Sequence, residues 1–479
     1  MVNNKKKECE GVDNPRVYDS LLVTALGFGN VLGPVISQCA KVTNSSVELY
    51  TYALPIVLTK ATSNAGAQDG LSGALTQDPA FHYIVNPNLD TSYSQCFFDV
   101  EKHSYTLTVL SHGDRYWIIQ HLDAYTNTFA DPGSRTLKGK PYTFGLVGPK
   151  GEKSHLPKNA TIFQAPTNLV WVFGRIYQNG TSADQEIVRN LMNQGIVTKH
   201  PLHPSRPISV SGSPPIYNIS KPLNGMTIPP LASVTGLTTQ KIFSAASQLM
   251  WNNTPPHADK NFLQRMSKDL GFEPYSKNAF RNPDLVYFCL LPNLSTTAID
   301  SITDYATASF KKMMHNGWPV RISDMGAYGI DYSFRAVIAL IGIGANLAVD
   351  AVYSSAQQTD SGALLYSSQT YSLTFEKGKF PPVDAFWSIT FYNSENYLQP
   401  NPVNRYALRS ADTFLYNNDG SLTLYFQEND PSNSSLANNW FYTKSNSTYV
   451  LTLRLYHPQQ AISNGSWVPP PIKQTSQAI

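Results

Sequence analysis

Tyr105-Thr106-Leu107-Thr108-Val109 is answered, far along the chain, by Tyr371-Ser372-Leu373-Thr374-Phe375, and this recurrence decides the fold. Both stretches alternate their apolar residues with hydroxyl side chains and are rich in β-branched and aromatic types, the pattern of a strand buried on one face. An aromatic-Trp strand follows each: Tyr116-Trp117-Ile118-Ile119-Gln120 and Phe386-Trp387-Ser388-Ile389-Thr390. Arg135 lies 18 residues beyond Trp117, and Arg405 lies 18 beyond Trp387. Each copy closes on Arg-apolar-Tyr, namely Arg175-Ile176-Tyr177 and Arg454-Leu455-Tyr456. Repeated order implies an internal duplication: two related β units in one chain.

Between the β regions the period changes. Thr238–Trp251, Asp259–Leu270, Thr296–Met314 and Tyr332–Tyr353 place apolar residues at three- and four-residue intervals, which predicts four helices. A further helix is expected at Ser182–Asn193, capped by Ser182 or Asp184, with Ile187, Leu191 and Met192 on its apolar side. A short helix broken at Pro55 is expected from Ser46 to about Ala67. His200 to Pro230 is rich in Pro, Ser and Gly and reads as a long connection. Its His200-Pro201-Leu202-His203 reads as a solvated loop in preference to a metal site. Asn417-Asn418-Asp419-Gly420 is a tight-turn signal, and Trp467-Val468-Pro469-Pro470-Pro471 reads as extended.

With 479 residues the chain can bury several cores. Only 14% of residues are charged while 12% are aromatic, a mix that suits an extracellular β-rich protein. The net charge of +3 is scattered, with no basic run beyond Lys5-Lys6-Lys7, which argues against nucleic acid as a partner. Cys9, Cys39, Cys96 and Cys289 are too few for a disulfide framework, and no two have metal-ligand spacing. Cys96 and Cys289 sit in apolar runs and read equally well as buried thiols or as a bridge. Neither a metal nor a cofactor is expected.

Leu21 to Ile36, followed by Ser37-Gln38-Cys39-Ala40, reads as a signal-like segment with small residues where cleavage would fall. Nine Asn-X-Ser/Thr sites, at Asn44, Asn159, Asn179, Asn218, Asn252, Asn293, Asn433, Asn446 and Asn464, add to the expectation of a secreted glycoprotein. No apolar run is long enough to span a bilayer; Ala336 to Val349 comes nearest and contains Asn346.

Several stretches resemble a known family. Asn86-Pro87-Asn88-Leu89-Asp90-Thr91-Ser92-Tyr93 and Leu122-Asp123-Ala124-Tyr125-Thr126-Asn127, with Gly133-Ser134-Arg135, are similar to the signature of the domain of unknown function numbered 1254. Gly326-Ala327-Tyr328-Gly329 with Arg335-Ala336, the Phe386–Tyr392 strand, Asn418-Asp419-Gly420-Ser421, Asn439-Trp440 and Leu453-Arg454-Leu455-Tyr456 resemble its usual partner, the domain numbered 1214. The resemblance spans about Ser46 to Pro470. It implies two β-sandwich (jelly-roll-like) domains with helices between them, often in secreted or periplasmic proteins, and it implies no activity. His457 departs from the pattern, standing where an aromatic usually precedes the proline, as does the polar segment between Trp440 and Tyr449.

The strand after Trp117 is the most suggestive for chemistry. Period-two alternation places His121, Asp123, Tyr125 and Asn127 on one face, and a His and an Asp two apart can hydrogen-bond, orienting the imidazole for proton transfer. Asn88 and Asp90 approach the same sheet, and Arg135 and Arg175 are candidate partners for carboxylates or for an anionic ligand. Equally, Asp and Asn cap turns and buried Arg-Asp pairs pin sandwich corners.

The expected architecture is therefore α+β, with two β-sandwich (jelly-roll-like) domains joined by a helical segment. Its parts are an N-terminal extension (1–45), a first sandwich (46–195), a Pro-rich connection with helices (196–325), a second sandwich (326–472) and a tail (473–479). The expected function is a secreted, N-glycosylated protein with a binding, structural or self-assembly role, including a coat or virion component, that forms homo-oligomers and takes a small-molecule or carbohydrate ligand. The alternative is a hydrolase or lyase on a small organic or carbohydrate substrate, with His121 as base and Asp123 as its partner.

Overall fold

The computed structural model describes residues 29–65, 72–74, 85–109, 111–137, 141–151, 153, 156–201, 230–289, 293–320, 323–431, 433–443 and 447–475. His203, Asn218, Asn446, most of the Pro-rich connection and the first part of the signal-like segment lie outside them.

The first sandwich contains β1 (Ser72–Ala74), β2 (Thr91–Asp99), β3 (His103–Val109), β4 (Trp117–Leu122), β5 (Thr128–Ala130), β6 (Tyr142–Val147), β7 (Thr161–Gln164), β8 (Leu169–Tyr177) and β9 (Ile196–Pro201). One sheet runs β1-β2-β8-β4-β5 and the other β7-β6-β3-β9, with Trp117, Phe98, Tyr105 and Phe144 among the rings packed between them. β9 carries the chain to Pro201, and His200, expected in a solvated loop, hydrogen-bonds Thr106 through Nε2 at 3.0 Å.

After a two-residue hairpin of β10 (Met314–His315) and β11 (Trp318–Pro319), the second sandwich is built from β12 (Ala351–Ala356), β13 (Thr370–Phe375), β14 (Val383–Asn393), β15 (Ala407–Arg409), β16 (Leu422–Gln427), β17 (Trp440–Tyr442), β18 (Tyr449–Pro458) and β19 (Ile472–Thr475). Its sheets run β12-β18-β14-β15 and β17-β16-β13-β19. β19 pairs with β13, so residues 473–475 of the expected tail belong to a sheet. Gly420 turns the Asn417–Gly420 loop with φ +81, as the sequence signal required.

Apart from β1, which has no counterpart among the described strands, the second order repeats the first, including the parallel pairs β6·β7 and β16·β17. Trp117 faces Ile176 and Trp387 faces Leu455; Tyr93 faces Arg175 and Tyr353 faces Arg454. The backbone N–H of each Trp donates to a serine hydroxyl, Ser134 Oγ at 3.4 Å and Ser410 Oγ at 3.2 Å. The equal Arg135 and Arg405 spacing is a coincidence by comparison. Arg135 pairs with carboxylates, whereas Arg405 donates to the carbonyls of Ala437 and Trp440, and the connections between equivalent strands differ in length.

Helix α1 (Gly29–Ala65) is longer than expected and runs through Pro55. Proline removes one backbone bond and crowds the preceding turn, but Leu49 to Leu58 is buried almost without a break, and that packing offsets the defect. Around it lie α3 (Thr239–Asn252), α4 (Lys260–Leu270), α5 (Leu294–Lys312) and α6 (Tyr332–Gly342), forming the largest core. Helix α2 (Ser182–Asn193) packs Val188 and Met192 on the first sandwich; Thr181 is its cap, while Asp184 and Ser182 lie inside the helix. α6 stops at Gly342, well short of the expected Tyr353, because Tyr353 belongs to β12. Cys39 and Cys289 form a disulfide between α1 and the helical layer, and Cys96 is a buried thiol. The small residues expected at a cleavage site thus belong to a helix bonded into the fold.

Candidate functional site

The sheets carrying Trp117 and Trp387 meet through an aromatic seam. Tyr116 and Phe386, each preceding its Trp, contact edge to face at 5.8 Å, and Phe386 stacks on Tyr456 at 4.1 Å. A cleft of about 1020 Å³ opens beside this seam, lined from one half by Arg115, Tyr116 and Ser134 and from the other by Phe386, Ser410 and His457. Equivalent residues thus face each other across it, Tyr116 with Phe386 and Ser134 with Ser410.

Arg115 holds Asp184 at the cleft wall with two hydrogen bonds, of 3.0 and 2.7 Å, a bidentate pair. Burial alone would raise the Asp184 carboxyl; Arg115 and the Asn179 N–H outweigh it and hold the group below its usual range. Opposite, His457 adopts φ +53 and its Nε2 lies 3.8 Å from Asp384, which also accepts from Gln459. Departure from the aromatic norm at position 457 therefore places an imidazole at the cleft.

Behind the seam, Arg135 joins the halves. Its Nε donates to Asp350 Oδ1 at 2.8 Å and its Nη2 to Asp131 Oδ2 at 2.6 Å. Burial, reinforced by the neighbouring Asp131 carboxyl and opposed by Arg135, pushes the Asp350 carboxyl up to about 8. Reciprocally, Arg409 of the second half donates to Asp90 of the first at 3.2 Å. Asp90 also accepts from Ser388 and from the Tyr456 hydroxyl, and Asn88 Nδ2 donates to that hydroxyl at 2.8 Å. Asn88 and Asp90 therefore dock the first half onto the second sheet.

The strand-face reading of His121 to Asn127 is corrected by where β4 ends. His121 points into the first sandwich among Phe129, Phe144 and Phe163, with Nδ1 against the Ile119 carbonyl at 3.1 Å. Burial pulls it down to about 4, so it is neutral. Past Leu122 the chain turns, with Thr126 at φ +69, and Asp123 closes that turn by accepting from the N–H groups of Tyr125 and Asn127 and from the Asn127 amide. Burial, countered chiefly by Asn127, pushes Asp123 up to about 6. The two side chains form no pair. Tyr125 instead reaches the helical layer, its hydroxyl donating to the Asn253 carbonyl at 2.8 Å.

Of the eight candidate residues, Arg135 and Arg175 lie at the junction of the halves and Asn88 and Asp90 on the docked segment beside it, while the other four are elsewhere. Arg115, Asp184, Asp384 and His457 line the cleft without having been site candidates: the sequence marked Asp184 only as a helix cap, Asp384 as a strand-entry residue and His457 as a departure from the family pattern. The available signal was the position of Arg115 and Asp384 just before the paired aromatic-Trp strands. Among the described sequons, Asn44, Asn159, Asn179, Asn293, Asn433 and Asn464 are exposed, and Asn179 stands at the cleft; Asn252 is half-buried and bonded to Glu101. No described group of His, Cys, Asp and Glu could hold a metal ion, and no described helix is long and apolar enough to cross a membrane.

Comparison with known proteins matches residues 73–199 to "Protein of unknown function (DUF1254)" and residues 350–460 to "Protein of unknown function (DUF1214)". The crystal structure of the VPA0106 protein from Vibrio parahaemolyticus is similar, with a TM-score of 0.64 and 19% identity over 91% of this chain and 100% of that one. A putative uncharacterized protein from Burkholderia cenocepacia gives 0.44 and 12% identity over 94% and 98%. At that identity the Vibrio likeness speaks to the fold alone. No curated protein matches the chain.

Proposed function

We propose that this chain, which pairs a DUF1254 domain with a DUF1214 domain, is a secreted, N-glycosylated binding protein that takes a carbohydrate-like ligand between its sandwiches. The cleft carries the reading: the half-buried Tyr177 ring and the largely buried Tyr116 and Phe386 rings line it beside the Arg115–Asp184 pair and the Ser134 and Ser410 side chains. Sugars use both features, an apolar ring face and a dense set of hydroxyls. Disulfide bonding of Cys39 to Cys289 and the exposed sequons favour an oxidising, secretory route. The matching registers favour descent from one doubled sandwich, and homo-oligomer formation belongs to the same proposal.

The hydrolase or lyase built on His121 and Asp123 has no support in the geometry, since one residue is core and the other closes a turn. A glycan array with the full chain tests the binding reading, followed by calorimetry on any hit with Asp384→Asn, a half-exposed position whose change spares the fold. Saturable binding weakened several-fold by the variant supports it; an array without hits sinks it. Intact mass before and after glycosidase treatment tests glycosylation separately.

A further inference from the structure

A second cavity, of about 410 Å³, lies beside the cleft. Chain order makes the two neighbours. Asn179 lines the cleft and Gly180 the second pocket; Arg409 and Asp412 line the pocket, while Ser410 and Ala411 between them line the cleft. Segments 179–180 and 409–412 therefore divide the two spaces. They also pack on each other, since a Cβ at Gly180 would stand 3.6 Å from Arg409 Nη1.

The pocket carries two guanidinium groups with donors to spare. Arg405 spends Nη1 on the carbonyls of Ala437 and Trp440, at 2.6 and 3.1 Å, and its Nε and Nη2 bond to no described residue. Among the described residues no carboxylate lies within salt-bridge distance of it. Arg409 is held from behind, by Asp90 through Nε and by the Leu89 carbonyl through Nη2, which leaves Nη1 beside Gly180 and the pocket. Both arginines are partly exposed. Their bonded nitrogens fix each guanidinium in place, so the free N–H groups can meet an oxyanion at little further cost in side-chain freedom. The opposing charge on the lining is Asp412, whose Oδ2 accepts from the Arg409 backbone N–H at 2.8 Å.

We propose that this pocket receives the carboxylate or sulfate group of an acidic saccharide whose rings lie in the neighbouring cleft, an assignment that rests on the carbohydrate reading and adds the ligand's charge. Arg405 and Arg409 donate to the oxyanion in charge-assisted hydrogen bonds. Arg405 is the cation that lacks a partner, and the ligand supplies one. The cleft alone does not call for an acid, because Arg115 there is already matched by Asp184.

A glycan array that pairs uronate-bearing and sulfated members with their carboxyl-reduced or desulfated counterparts tests this on the full chain. Acidic members should bind about tenfold more tightly than their neutral counterparts in calorimetry, and the uronate and sulfate arms show which group the pocket takes. Asn404→Asp sets a carboxylate on the pocket lining, at an exposed residue with φ +49, a conformation that Asp tolerates as Asn does. It should weaken an acidic hit about tenfold. Asp412→Asn keeps an oxygen for the Arg409 N–H, removes the charge and should tighten the same hit several-fold. Acidic and neutral counterparts bound equally, or an acidic hit indifferent to both variants, overturn the anion pocket and leave the carbohydrate reading standing. An array without hits overturns both, and inorganic sulfate then tells which part failed. Saturable sulfate binding that is lost in Asn404→Asp marks a sound pocket beside a wrong sugar; absence of sulfate binding marks a pocket that takes no anion.

Discussion

Asp90 and Asp350 hold the same place in the two sandwiches, and each is grasped by an arginine of the opposite half. The Asp90 carbonyl accepts from Gln178 N and the Asp350 carbonyl from His457 N, both at 2.8 Å, just past the two Arg-apolar-Tyr strands. Arg409 then reaches Asp90, and Arg135 reaches Asp350. This reciprocal clasp, with the aromatic seam between, positions the cleft.

The Asp350 end of the clasp makes stability depend on pH. Its folded value of about 8 lies above the ordinary 3.8, so the native state keeps a proton that the unfolded chain releases. That stabilisation is full below pH ~4 and lost as pH rises to about 8. His121 works oppositely: lowered from 6.5 to about 4, it favours folding above 6.5 and costs stability as pH falls through that window. Between pH 6.5 and 8 Asp350 therefore dominates, with a slope of at most about 1.4 kcal/mol per pH unit. Melting curves across that window should fall with pH for the native chain and run flat for Asp350→Asn.

At the other end, Arg409→Ala strands a carboxylate with no exposed surface. The expected loss is roughly 3–5 kcal/mol in urea unfolding, and adding Asp90→Asn should recover a substantial part of it. Simple additivity of the two substitutions would show that the pair is not coupled.

For His121 the expectation is structural. His121→Ala opens a hole among three phenylalanines and should cost about 2–4 kcal/mol, as other large-to-small core changes do. Any ligand found for the cleft should bind the folded variant unchanged, and calorimetry against the native chain checks this.

The Cys39–Cys289 bridge closes a span of 250 residues between α1 and the helical layer. Cys39→Ser with Cys289→Ser should lower stability by roughly 2–5 kcal/mol. Reductant should shift the native chain by a similar amount and leave the double variant unmoved; equal sensitivity in both would exclude this bridge as the cause.

Much of the architecture was legible because strands advertise themselves locally. Alternation around Tyr105, Trp117, Tyr371 and Trp387 put these residues on strands, and the capped, periodic stretches near Thr239 and Lys260 formed helices within a residue or two of the expected ends. Pro55 misled because its cost is local, whereas the burial that outweighs it comes from the helices packed around α1. His121 and Asp123 misled for a related reason: period-two alternation holds only while a strand lasts, and β4 ends at Leu122.

What the chain order alone determined is a pair of like β units with helices between them, since apolar period is a property of neighbouring residues. Which side chains meet across the units was decided only by tertiary packing. Arg135 finds Asp350, Arg409 finds Asp90, Cys39 finds Cys289, and Arg175 is enclosed among tyrosines, because these contacts depend on how two sheets and a helical layer close together. Spacing along the sequence carries no record of that closure, as the matched offsets of Arg135 and Arg405 demonstrate.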